Sequence, residues 1–189
     1  MTWTAIVPLK AAADRKTRLA SALDGSETAA LAQGMADHVI ATLAGVPAIG
    51  SIRVLSPMSG DIPGTVWEPD HGKGLNAELD RVCATLAGEP LLIVHADLPL
   101  ICAEDVTALL SAADAAGAAI ATDRHGMGTN AMAMRKAACF GFAFGPDSLA
   151  RHLERLPDAA VLRREGLAID IDTADDIAAA KGALPLGRW

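Results

Sequence analysis

Apolar positions along the chain alternate between two rhythms. Short apolar segments at Thr4–Leu9, Ser51–Ser56, Leu91–Pro99 and Ala118–Thr122 have the length and composition of strands, the third with four consecutive apolar residues. Between them lie longer stretches whose apolar residues recur at helical spacing. Glu27–Ala44 places Ala32, Met35, Ala36, Val39, Ile40 and Leu43 on one face, with Ser26 as its candidate cap and Gly45 and Pro47 ending it. A second helix is expected from about Asn76 to Ala87, and a third over Ala103–Ala116, closed by Gly117. Thr65–Glu68, Asn130–Arg135, Phe140–Phe144 and Leu167–Asp172 predict further strands. Gly145-Pro146 predicts a helix start, with Gly145 as cap, and Thr173 caps a final helix with Asp176 as its capping-box partner. Strands alternating with helices predict an α/β fold around a mostly parallel sheet with helices on both faces, in one domain over residues 1–189.

Leu91–Pro99 reads as the central strand. It ends in Asp97, and Pro99 prevents the ladder from continuing. In open α/β sheets ligands bind beyond the carboxyl ends of such strands, although an aspartate there also suits a plain turn. Asp170 and Asp172, two residues apart on the expected last strand, point to one face. Adjacent carboxylates repel unless a cation or base neutralises them, which favours a metal. Lys10–Arg18 holds four of the sixteen basic residues and follows the first strand, where phosphates are held, or else is simply a solvated loop; no Walker sequence is present. Gly72 and Gly74 precede a helix and allow close backbone approach to a ligand, and Asn76 could read a base or a ribose hydroxyl. Gly126-Met127-Gly128-Thr129 suits either an anion or an ordinary hairpin loop. The Gly145–Ser148 turn offers helix N–H groups to an anion, with His152 one turn further on.

Composition narrows these options. A net charge of −7 and only 3% aromatic residues oppose a nucleic-acid polymer as partner, yet suit a small anion bound with metal ions. No apolar run is long enough to span a bilayer, and the chain starts without a basic and apolar leader, so a cytoplasmic location is expected. Cys83, Cys102 and Cys139 form no C-x-x-C pair, which argues for buried thiols rather than zinc or disulfides.

Seven motifs then occur in order: Val7-Pro8-Leu9-Lys10, Lys16-Thr17-Arg18-Leu19-Ala20, Gly74-Leu75-Asn76, Ala96-Asp97-Leu98-Pro99-Leu100, Gly128-Thr129-Asn130-Ala131, Phe144-Gly145-x-x-Ser148 and Asp170-Ile171-Asp172-Thr173. Together they resemble the 2-phospho-L-lactate guanylyltransferase family of deazaflavin-coenzyme biosynthesis, over about Val7 to Ile177. Ala11 and His95 stand where that family often has proline. The resemblance implies a three-layer nucleotide-diphospho-sugar-transferase-like (GT-A type) sheet. It also implies transfer of GMP from GTP to the phosphate of a small three-carbon phospho-acid: 2-phospho-L-lactate, phosphoenolpyruvate or 3-phosphoglycerate. On this basis Leu9, Lys10, Lys16, Arg18, Gly74 and Asn76 are expected on the nucleotide, with Lys10, Lys16, Arg18 and Asp97 catalytic. Asp97, Asp170 and Asp172 are expected on Mg²⁺, and Thr129, Gly145 and Ser148 on the acceptor. Other nucleotidyltransferases of this fold, of molybdenum-cofactor or sugar-phosphate type, usually carry a G-x-G-x-R loop after the first strand, and Leu9–Arg18 contains no glycine. A non-catalytic nucleotide-binding protein is the third alternative. A symmetric homodimer is the base expectation for assembly.

Overall fold

The computed structural model describes residues 2–9, 24–60, 62–86, 88–137 and 141–183. Lys10, Lys16, Arg18 and Cys139 lie outside the described residues. The chain runs β1 (Trp3–Pro8), α1 (Gly25–Ala44), β2 (Ile49–Ser56), β3 (Val66–Pro69), α2 (Leu75–Thr85), β4 (Leu91–Val94), α3 (Ala103–Ala116) and β5 (Ala118–Thr122). It continues through β6 (Thr129–Met134), α4 (Ser148–Arg155), β7 (Ala160–Leu162), α5 (Glu165–Ala168) and α6 (Ala174–Ala183).

Period-two alternation in the strands builds two cores, one on each face of a single sheet. Ala5 and Val7 of β1, Leu92 and Val94 of β4, and Ala131 and Ala133 of β6 pack with α1 and α3 on one side. Ile6, Leu91, Ile93, Met132 and Met134 face the other way, against α2 and α4. Every residue of β4 is buried, as expected of a strand covered on both faces. Leu109 of α3 has no exposed surface, so truncating it to alanine costs about 2–5 kcal/mol.

The seven-stranded sheet has the order β3-β2-β1-β4-β6-β5-β7. All neighbours are parallel except that β6 runs against both β4 and β5. The mostly parallel, three-layer arrangement expected from the alternating pattern is therefore present.

Several local expectations are corrected. Asp24, not Ser26, caps α1: its extended backbone lets the carboxylate accept from Ser26 N and Glu27 N, while Glu27 reaches back to Asp24 N in a full capping box. Residues 141–144 are not a strand, because Asn76 and Asp80 of α2 accept the N–H groups of Phe144 and Phe142 in place of a ladder. Helix α4 starts at Ser148 behind a left-handed Asp147 (φ 54°), not at Pro146 under a Gly145 cap. Residues 167–172 do not form a strand either. Leu167 and Ala168 close the short helix α5, the residues after them run outside the sheet, and the edge partner of β5 is instead β7.

Candidate active site

From β1 the chain continues to β2 on one side, while β4 lies on the other, so β1 and β4 flank a topological switch point. A cleft of about 370 Å³ opens there, beyond the carboxyl ends of the strands. Leu9, Leu55, Gly74, His95, Asp97 and Asp172 are among its walls. Leu9 is buried, and its N–H donates to Leu55 O at 2.8 Å, which extends the β1–β2 ladder to the cleft floor.

Asp97 sits where β4 runs out. The last ladder-like contact is His95 N to Asn130 O (3.0 Å), after which the chain turns through Leu98 and Pro99. Asp170 and Asp172 arrive by a different route. Helix α5 docks on the start of α3: Arg164 Nε donates to Asp105 Oδ1 at 2.6 Å, and Gly166 lies against the Asp105 carboxylate and Leu100 O. A Cβ at Gly166 would come within 2.7 Å of that carbonyl, so only glycine permits the approach. The extended chain that follows buries Ile169 and Ile171 against Met35 and Ala180, and Ile171 N donates to Asp97 O at 3.1 Å. Asn130 Nδ2 donates to Leu167 O (3.0 Å) and to Asp170 Oδ1 (3.1 Å). One carboxylate oxygen from each of Asp97, Asp170 and Asp172 then lies within 4.8 Å of the others.

Bringing these groups together has an electrostatic cost. Burial first, and then the Asp97 carboxylate, push Asp170 up to about 6, against the opposing hydrogen bond from Asn130. A cluster of oxygen donors that holds the Asp170 carboxyl above its ordinary range is the donor set that a hard divalent cation such as Mg²⁺ relieves.

The opposite wall is the loop between β3 and α2. Gly72 and Gly74 take positive φ values of 75° and 89°, which suit glycine. Glu78, fully buried on α2, clamps this loop. Its Oε1 accepts from His71 N (3.0 Å) and Lys73 N (3.4 Å), and its Oε2 from Arg81 Nε (2.9 Å) and the His71 ring (3.3 Å). Burial alone would raise the Glu78 carboxyl, but the combined donation of Arg81, His71 and Lys73 outweighs it and holds the group at about 2. Arg81 also donates to Pro69 O at 2.6 Å. Asn76 lies in the first turn of α2. Its amide oxygen accepts from Phe144 N (2.8 Å) and its nitrogen donates to Phe144 O (3.1 Å), so it ties this wall to the 141–147 loop.

Residues 3–179 match the family model described as "Guanylyl transferase CofC like". This chain belongs to that family of guanylyltransferases. It is 36% identical to phosphoenolpyruvate guanylyltransferase from Sphaerobacter thermophilus, over 99% of this chain and 96% of the relative. It is 35% identical to the protein of the same name from Rubrobacter xylanophilus, over 92% and 91%. A crystal structure from Desulfovibrio desulfuricans G20, assigned to the nucleotide-diphospho-sugar transferases, superposes with a TM-score of 0.78 at 16% identity, over 100% of this chain and 90% of that one, and so shares the fold.

In this guanylyltransferase, of the expected acceptor residues, Gly145 and Ser148 lie at the start of α4 and Thr129 reaches His152 of that helix from β6; none of the three is among the residues lining the cleft. Gly145 is exposed, and its carbonyl accepts from Ser148 N at 3.2 Å. Thr129 and Ser148 are buried. Thr129 Oγ1 lies 3.0 Å from His152 Nδ1, and Ala143 N donates to His152 Nε2 at 3.0 Å. Since Nε2 accepts, Nδ1 carries the proton and donates to Thr129, leaving a neutral imidazole. Burial first, then the charges of Arg155, Arg151 and His95, lower His152 to about 4. Phe144 packs between the rings of His95 (5.1 Å) and His152 (4.9 Å), joining this region to the end of β4.

Sequence reasoning named Asn130 only within a motif and as the start of a strand, and passed over Glu78, Arg81, Asp105 and Gly166. Glu78 left one signal, an acid in the first turn of a helix behind two glycines. The Asp105–Arg164 pair spans 59 residues and left none.

Proposed function

We propose that this guanylyltransferase moves GMP from GTP to the phosphate of a small three-carbon phospho-acid in a cytoplasmic step of deazaflavin coenzyme biosynthesis. Phosphoenolpyruvate is the first acceptor to test, since the curated relatives carry that name. The observation that carries the reading is the meeting of Asp97, Asp170 and Asp172 at the mouth of the switch-point cleft. No helix among the described residues is long and apolar enough to cross a membrane, which is compatible with that location.

An acceptor phosphate oxygen attacks the α-phosphorus of GTP, the bond to the α–β bridging oxygen breaks, and pyrophosphate leaves. The acceptor phosphate has a second pKa near 6, so it is already largely a dianion at neutral pH and needs no strong general base. The chain's task is alignment and charge neutralisation. Asp97, Asp170 and Asp172 would hold Mg²⁺, which would supply charge stabilisation to the phosphoryl oxygens. Lys10, Lys16 and Arg18, from the segment after β1, pair with the triphosphate. Leu9 and Gly74 border the nucleoside, and Asn76 fixes the wall it rests on. Gly145, with Thr129 and Ser148 behind it, forms the acceptor side.

The test incubates the protein with GTP, Mg²⁺ and, separately, phosphoenolpyruvate, 2-phospho-L-lactate and 3-phosphoglycerate, reading pyrophosphate and the guanylylated product by mass spectrometry. One acceptor giving a diphosphate-linked guanosine adduct is the expected result. No product with any pair defeats the reading.

A further inference from the structure

The cleft contains a carboxylate that the phosphate chemistry does not use. Asp70 follows β3 and lines the same cavity as Asp172 and as Asp97, which follows β4. From β3 to β4 the sheet order counts three strand spacings, about 14 Å across. That is the scale of a nucleotide laid across the strand ends, with its base at one end and its phosphates at the other. A carboxylate so close to a polyanion's site is unfavourable beside phosphates, but not beside a base.

We propose that Asp70 is the residue that selects guanine, its carboxylate accepting hydrogen bonds from the N1–H and the N2 amino group of the base. This rests on the guanylyl-donor reading above. Guanine is the common purine that presents two adjacent donors on this edge, and two adjacent carboxylate oxygens are their complement. Adenine places a lone pair at N1, directly against the carboxylate, and is repelled. Among the described residues lining the cleft, the other ionisable side chains are His95, Asp97 and Asp172, all at or near the carboxylate cluster.

Asp70 is also held ready. Gly72 N donates to Asp70 Oδ1 at 2.8 Å, and Asp70 N donates to Ser56 O at 3.0 Å. Oδ1 keeps a second lone pair, and Oδ2 has no hydrogen-bond partner among the described residues. The loop behind it is fixed by Glu78 and Arg81, so little rearrangement is needed when a base arrives. Leu9, Leu55 and Leu75 supply apolar surface for the purine faces.

The test compares binding of GTP and xanthosine triphosphate, each with Mg²⁺, by calorimetry on wild type, Asp70→Asn and Asp70→Ala. Xanthine keeps N1–H but replaces the amino group by an oxygen, so a carboxylate repels it and a carboxamide can donate to it. Asparagine retains the Oδ1 acceptor for Gly72, so the turn survives, and melting curves on both variants check this. Wild type prefers GTP by about 100-fold or more, as expected of a site built on hydrogen bonds to its ligand. Asp70→Asn reverses the preference towards xanthosine triphosphate, and Asp70→Ala brings the ratio towards one. Equal losses for both nucleotides in Asp70→Asn, or an unchanged ratio in Asp70→Ala, overturn the assignment. Failure of wild type to bind GTP at all instead overturns the donor reading beneath it.

Discussion

His152 shows how one buried side chain is kept in one protonation state by its partners. Its Nε2 takes the Ala143 N–H and its Nδ1–H goes to Thr129, so protonation must break the first of these contacts. The folded value of about 4 lies below the ordinary imidazole value of 6.5. Between these values the unfolded chain binds more protons, so the stability that His152 contributes is full above 6.5, falls as the pH drops through the window, and is gone below about 4. At pH 5 the loss attributable to His152 is on the order of 2 kcal/mol. Urea unfolding at pH 7.5 and pH 5 should therefore show a shallower pH dependence in His152→Gln than in wild type by about that amount. Equal slopes would contradict the neutral assignment. The single histidine in the α4 pattern was visible in the sequence, but its partners lie 9 and 23 residues away and were not.

Among the elements, α5 and the extended chain after it decide whether the three carboxylates meet. Gly166 lets α5 approach α3, Ile171 N anchors the chain to Asp97 O, and Asn130 holds Asp170. Gly166→Ala should push α5 off α3 and lower turnover about 100-fold, with a raised Mg²⁺ concentration for half activity. Steady-state assays over a Mg²⁺ series measure both. On the opposite wall, Glu78→Gln keeps the shape of the clamp and removes its charge, and should raise KM for GTP about tenfold with kcat within a few fold. Initial rates at saturating acceptor test this. The pairing of Asp170 with Asp172 was legible from their spacing, because extended chain alternates its sides with or without a ladder. The absence of a ladder was not legible: Leu-Ala-Ile-Asp-Ile-Asp carries the composition of a strand, and only Gly166 packing on Asp105 and Leu100 bends its start into α5. In the same way β7 escaped notice because its central Val161 is exposed at the sheet edge, so no buried run marks it.

At the scale of the whole molecule, function follows from the sheet order. Placing β4 beside β1, with β2 and β3 beyond, opens a cleft at the strand ends, and among the described residues six separate stretches of chain line it. The strand–helix alternation made this architecture readable, since parallel strands buried on both faces leave continuous apolar runs. The convergence of distant carboxylates was inferred from their residue type and their position at strand ends. The contacts that enforce it come from tertiary packing, which no local pattern encodes. The central claim is that Asp97, Asp170 and Asp172 act together on one divalent cation that guanylyl transfer requires. Pyrophosphate release from GTP and the active acceptor, measured against Mg²⁺ concentration for wild type and for Asp97→Asn, Asp170→Asn and Asp172→Asn, tests it most directly. The account predicts that each substitution lowers turnover by about 100-fold or more and weakens the response to Mg²⁺. Wild-type turnover with unchanged magnesium dependence in any of the three variants would contradict it.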